Sequence, residues 1–104
     1  MLSIEIRGDR YHSPIIVCDH CQQPIEYAKQ GNYEWKVGPE GVVEPRIYFT
    51  HKRCSRAFEE ANAGEGWTWH ATELQLLPIY LERNLEIDHE RAEEHAWAMA
   101  QLDC

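Results

Sequence analysis

The strongest constraint on this chain is the spacing of four residues. Cys18 and Cys21 are separated by two residues in "CDHCQQP", and His51 and Cys54 by two in "THKRCSRAF". Between the pairs lie 29 residues. The chain has four cysteines, and three of them fall in these two stretches. Three thiolates and a neutral imidazole are a donor set that suits a tetrahedral Zn²⁺. A C-x2-C pair on a tight turn brings two sulfurs to one ion. His51 and Cys54 meet the same need at a helix start, where residues three apart share a face. His20, inside the first pair, is an alternative fourth ligand, although the helix geometry favours His51. Four protein donors leave no open position on zinc, so the metal is expected to be structural. Lys52, Arg53 and Arg56 flank the site and can offset its negative charge.

The 29-residue gap reads as a hairpin followed by a helix. "NYEWKV" puts Tyr33, Trp35 and Val37 on one face and Glu34 and Lys36 on the other. "GPEG" is a turn, and "VVEPRIYFT" returns, with Pro45 marking an edge or a bulge. The pattern then becomes helical from Thr50, the predicted N-cap, with Cys54, Ala57, Phe58 and Ala61 on one face. Two glycines in "NAGEG" stop it.

Turn with two ligands, hairpin, helix with two more: over residues 15–63 this order resembles the treble-clef zinc fold. The ligand string is similar to the first finger of a LIM domain. The resemblance implies Cys18, Cys21, His51 and Cys54 as ligands. It does not extend to a second finger, and "QQP" follows Cys21 where such knuckles commonly carry glycine.

Upstream, "LSIEIR" alternates Leu2, Ile4 and Ile6 with Ser3, Glu5 and Arg7, predicting a half-buried strand. "GDRYHS" is a turn, and "PIIV" a second strand that delivers the chain to Cys18. Downstream, "WTWH" predicts a short extended segment. Leu74, Leu77, Leu81 and Leu85 form a helical stripe, widened by Ile79, Tyr80 and Ile87. Thr72 and Gln75 have capping-box spacing. Pro78 either interrupts this helix or begins a second one. A last helix follows Asp88 as N-cap, with Ala92, Ala96, Met99 and Leu102 as its narrow apolar face. Cys104, the last residue, is expected to fray. The fold class expected is α+β, a single zinc-stabilised domain over 1–104. Within it, 1–17 form strands, 18–63 the zinc-binding module, and 64–104 an acidic helical part with two C-terminal helices packed back on the sheet.

Charge narrows the function. The net charge is −8, but residues 1–56 carry +1 and residues 57–104 carry −9. An acidic body repels phosphate backbones, so nucleic-acid binding through the Lys52–Arg56 helix ranks second to binding another protein. Trp67, Trp69 and Trp97 are candidate partner-binding residues, and a homo-oligomer is compatible with them. His89 and His95 are six apart and cannot share a helix face, which excludes the metalloprotease reading of "HERAEEH". No glycine-rich phosphate loop or nucleophile motif is present, so an enzyme, even one using zinc, is the least favoured class. There is no long apolar run for a membrane span. "MLSIEIRGDR" lacks the form of a signal peptide. C-x2-C without one points to a reducing, cytoplasmic compartment.

Overall fold

The computed structural model describes residues 1–8 and 11–103, without the side chains of Ala100, Leu102 and Asp103. It is a small α+β fold with three helices and two small antiparallel sheets. Strands β1 (Leu2–Arg7) and β2 (Tyr11–Ile16) form a two-stranded ribbon. Strands β3 (Gly31–Val37), β4 (Tyr48–His51) and β5 (Thr68–Glu73) form a three-stranded sheet with β3 in the centre. Helix α1 (Lys52–Ala61) follows β4 directly. Helices α2 (Leu77–Leu85) and α3 (His89–Asp103) close the chain. Among the described residues, no helix is long and apolar enough to cross a membrane.

The core gathers on one face of β3 and β4. Tyr33 and Phe49, opposite each other across the two strands, meet Cys18, Ile25, Cys54 and Leu74. Gly31 admits this packing, since a Cβ there would lie 2.9 Å from Leu74 Cδ2 and 3.0 Å from Ile25 Cγ2. On the other face, α1 lays Phe58 against Tyr48 and Trp69, with ring centroids 5.5 and 5.2 Å away. The central strand is thus covered on both faces and paired along both edges.

That coverage overrides the alternation expected of "NYEWKV". Glu34, placed by period on the polar face, is 0% exposed. Its Oε2 accepts hydrogen bonds from Thr50 Oγ1 at 2.5 Å and from Ser55 Oγ at 3.2 Å, whereas Oε1 has no partner. Burial above all, then the neighbouring Glu59, pushes the Glu34 pKa up to about 7 against the pull of the two hydroxyls. Thr50 is therefore no helix cap. Its hydroxyl is committed to Glu34, and the helix begins one residue later, with His51 at the N-cap position.

Other boundaries move for local reasons. The return strand of the hairpin shortens to Tyr48–His51, and residues 42–47, with Pro45 among them, loop out past a single bridge between Val37 and Val43. Thr72 lies within β5 rather than capping a helix. A short 3₁₀ turn over Leu74–Leu76 leads into α2, with Pro78 in its first turn, where a missing N–H costs nothing. Pro78 begins a helix. Asp88 caps α3, with Oδ1 accepting from Arg91 N at 3.2 Å. The described residues of α3 are nevertheless all exposed, Ala92, Ala96 and Met99 included. A stripe mostly of alanine offers too little surface to hold a helix down. The main contact of α3 is with β2 of the ribbon, not with the three-stranded sheet on which it is expected to pack. Asp9 and Arg10, in the predicted turn, the Leu102 side chain and Cys104 lie outside the described residues.

Glu34 carries a testable consequence. A carboxyl whose folded pKa is raised favours the fold fully below its unfolded value, near 4.5, and loses that contribution as pH climbs through about 7. Glu34→Gln keeps the hydroxyl contacts and removes the titration. Its stability relative to the native chain should be near zero at pH 5 and rise by roughly 2–3 kcal/mol by pH 8. Urea titrations of both proteins across that range test this, and a flat difference would contradict it.

Candidate metal centre

The turn after β2 is a knuckle. Cys18 N–H donates to Gln23 O at 2.9 Å, and Gln22 N–H to Cys18 O at 3.0 Å. Gln22 takes φ +63°, the left-handed conformation that glycine adopts without strain, so "QQP" makes the same turn at a conformational cost. Within the knuckle, Cys18 Sγ accepts from His20 N at 3.4 Å and from Cys21 N at 3.5 Å. A third donor arrives from the far end of the hairpin: His51 N–H, at 3.4 Å.

Asp19 locks the knuckle to β4. Its N–H donates to Phe49 O at 2.7 Å, and its Oδ2 accepts from Phe49 N–H at 2.8 Å. This two-way clamp brings the start of α1 over the cysteines. Sγ of Cys18, Cys21 and Cys54 and a ring nitrogen of His51 then all lie within 4.8 Å of one another. The four residues form a group that can bind a metal ion. Cys18, His51 and Cys54 are 0%, 4% and 8% exposed, and Cys21 is half-buried.

The group fits a tetrahedral ion by three separate criteria. Tetrahedral bonds of about 2.3 Å to sulfur and 2.0–2.1 Å to nitrogen imply ligand-to-ligand edges of about 3.5–3.8 Å. The donors all lie within 4.8 Å of one another, and Cys21 Sγ and His51 Nδ1, 3.3 Å apart, stand near that edge. Second, His51 Nε2 lies 3.1 Å from Pro24 O, a bond that requires the proton on Nε2. The Nδ1 lone pair is left facing the sulfurs, the usual arrangement of a ligating imidazole and its outer partner. Third, the electrostatics of the sulfurs are compatible with a cation. Burial pushes the Cys18 thiol up, but the backbone N–H groups of Cys21, His51 and His20 outweigh it and hold its pKa at about 6. Burial, followed by the adjacent Cys18 and Cys21, pushes Cys54 up to about 11. One thiolate forms readily and the next is repelled, a conflict that a divalent ion bound at the centre would remove.

The structure separates the remaining candidates. His20 contributes its backbone to Cys18 and does not join the cluster. Lys52 Nζ is paired with Glu73 Oε1 at 2.7 Å, and Arg56 Nε with Glu60 Oε1 at 3.4 Å. Arg53 is exposed on α1. Trp67 covers Gly38, where a Cβ would lie 2.9 Å from its ring. Lys36 Nζ sits 5.7 Å from the Trp67 ring centre and 5.2 Å from that of Trp69. Trp69 is half-buried beside Phe58 and Tyr48, and Trp97 is 70% exposed on α3. Asp19 and Pro24, which orient the cluster, carry no signal in the ligand spacing.

Asp19→Ala should leave the half-buried Phe49 N–H without its acceptor and cost about 1–3 kcal/mol, whereas Asp19→Asn, which retains an oxygen, should cost less. Thermal melts of the two variants beside the native protein rank them. Equal losses would mean that the clamp does not hold the knuckle.

No protein-family model, curated protein or solved structure matches this chain.

Proposed function

We propose that this chain is a non-catalytic, zinc-stabilised interaction module. Cys18, Cys21, His51 and Cys54 would hold one structural Zn²⁺ in a treble-clef-like arrangement of knuckle, hairpin and helix. The observation behind this reading is the convergence of four donor atoms, from two segments far apart in sequence, within 4.8 Å. The ion's contribution is cohesion: it ties the knuckle to the first turn of α1. Catalysis is disfavoured because four protein donors complete the tetrahedron. The reading places the protein in a reducing, cytoplasmic setting, where thiols persist.

The partner in this reading is another protein. The exposed Trp97 and the acidic surroundings of α2 and α3 are the surfaces offered to it. Nucleic acid is the weaker alternative, since two of the three basic side chains on α1 are already paired with acids.

Protein purified without chelator should contain one zinc per chain by elemental analysis. Its Co²⁺-substituted form should show the absorption of a tetrahedral thiolate site. Cys54→Ser should weaken metal binding at least tenfold, and Arg53→Ala should leave it unchanged. Chelation should unfold the protein, because structural zinc contributes on the order of 10 kcal/mol in small finger peptides. Metal-free protein that keeps its fold, or a five- or six-coordinate Co²⁺ spectrum, would overturn the reading.

A further inference from the structure

The β1–β2 ribbon faces the wrong way for a chain on its own. Residues opposite each other in an antiparallel pair share a face, so Leu2, Ile4 and Ile6 stand beside Ile16, Pro14 and His12. That apolar side is the open one: Leu2, Ile4 and Ile6 are 67, 61 and 64% exposed. Ser3 and Glu5, on the other side, are the more covered. A strand that alternates normally buries its apolar side, and a two-stranded ribbon is marginal without such burial.

At Leu2 this face runs into a groove of about 390 Å³ whose walls include Ile47, Phe49, Leu77 and Leu81. Ile47 and Leu81 are 45 and 44% exposed. The overall shape agrees with an uncovered surface. The radius of gyration is 16.3 Å, where a compact chain of this length would have about 13 Å.

We propose that this strip is a homodimer interface. Two chains meet face to face across a two-fold axis near Ile4, their ribbons stacked as the two layers of a small sandwich. In that arrangement Ile4 lies against Ile4 of the second copy. Each Ile6, on the far side of the axis from Leu2, comes over the groove of the other chain. The strip then pairs an exposed Ile6 at one end with the groove beside Leu2 at the other.

The area fits a second copy, and the charge restricts where two copies can meet. The five exposed aliphatic side chains and their flanking atoms offer on the order of 600–800 Å², close to the ~800 Å² per partner of a stable interface and above what a monomer usually leaves open. The chain carries −8, so two copies repel each other over most of their surface. The strip is the exception. Asp19 is the only acid lining the groove among the described residues, and its carboxylate is held by Phe49 N–H. This inference does not depend on the metal.

Analytical ultracentrifugation of the full chain across micromolar to submillimolar concentrations tests it. The native protein should sediment as a dimer. Ile4→Lys on β1 and Leu81→Lys on α2 should each raise the dimer dissociation constant at least tenfold. Glu5→Lys, on the covered side of β1, should not. Metal content and far-UV circular dichroism, recorded on every variant, distinguish a lost interface from a lost fold. Two variants on different elements keep a readout if one of them misfolds. A native protein that stays monomeric, including one whose strip takes up a hydrophobic dye and so awaits some other partner, overturns the proposal. So does an oligomer that persists in both lysine variants.

Discussion

Three backbone N–H groups converge on the sulfur of Cys18, two from its own knuckle and one from His51, thirty-three residues away. This convergence is the constraint on which the rest of the fold depends. It needs the knuckle to close, which forces Gln22 into the left-handed region. It also needs the end of β4 to lie beside the knuckle, which the Asp19–Phe49 clamp secures. Once both hold, the first turn of α1 has nowhere to place Cys54 except against the other donors. The hydrogen bonds position the donors into a group that could hold a metal ion.

The hydrophobic core is arranged around the same point. Of the six residues that form its buried cluster, two are Cys18 and Cys54. The remaining four come from the loop after the knuckle, from β3 and β4, and from the turn before α2. A chain of this length buries a modest fraction of its surface, and the packing of Cys18 and Cys54 with Ile25, Tyr33, Phe49 and Leu74 joins segments that are far apart in sequence. The buried Glu34 shows how closely the other face of the sheet is packed. α1 has to sit flush on β3 to bring Phe58 to Tyr48 and Trp69, and a carboxyl under the helix is carried along.

Ligand spacing, strand period and helix stops were legible wherever the outcome depends on local chemistry. The pairs 18/21 and 51/54, the turn at "GPEG" and the cap at Asp88 are of this kind. What could not be read depends on who lies across the way. Glu34 alternates with Tyr33 and Trp35 as a solvent-facing residue would, yet β5 and α1, remote in sequence, enclose it. Thr50 has the chemistry of an N-cap, and only the position of Glu34 diverts its hydroxyl. Leu2, Ile4 and Ile6 have the pattern of a strand against a core, but period alone does not say which body supplies that core. The ligand pattern was similarly silent on Asp19, because a carboxylate between two cysteines looks like any turn residue until Phe49 is placed opposite it.

These misplacements describe a molecule with two unequal parts. The part centred on the cysteines satisfies itself: its donors converge, its strands are paired and its polar groups are largely matched. The ribbon and α3 do not. One turns its apolar side outward, and the other buries none of its described residues. A small domain can reach stability through a metal, a larger core or a second chain, and these routes combine. Here the cysteine-centred part spends its apolar residues around the donors, leaving nothing to cover Leu2, Ile4 and Ile6. An exposed strand face of that length invites indiscriminate association unless its own shape restricts what can dock. The groove beside Leu2 offers a shape that could restrict docking, and the acidic charge elsewhere on the surface disfavours other orientations of a second copy.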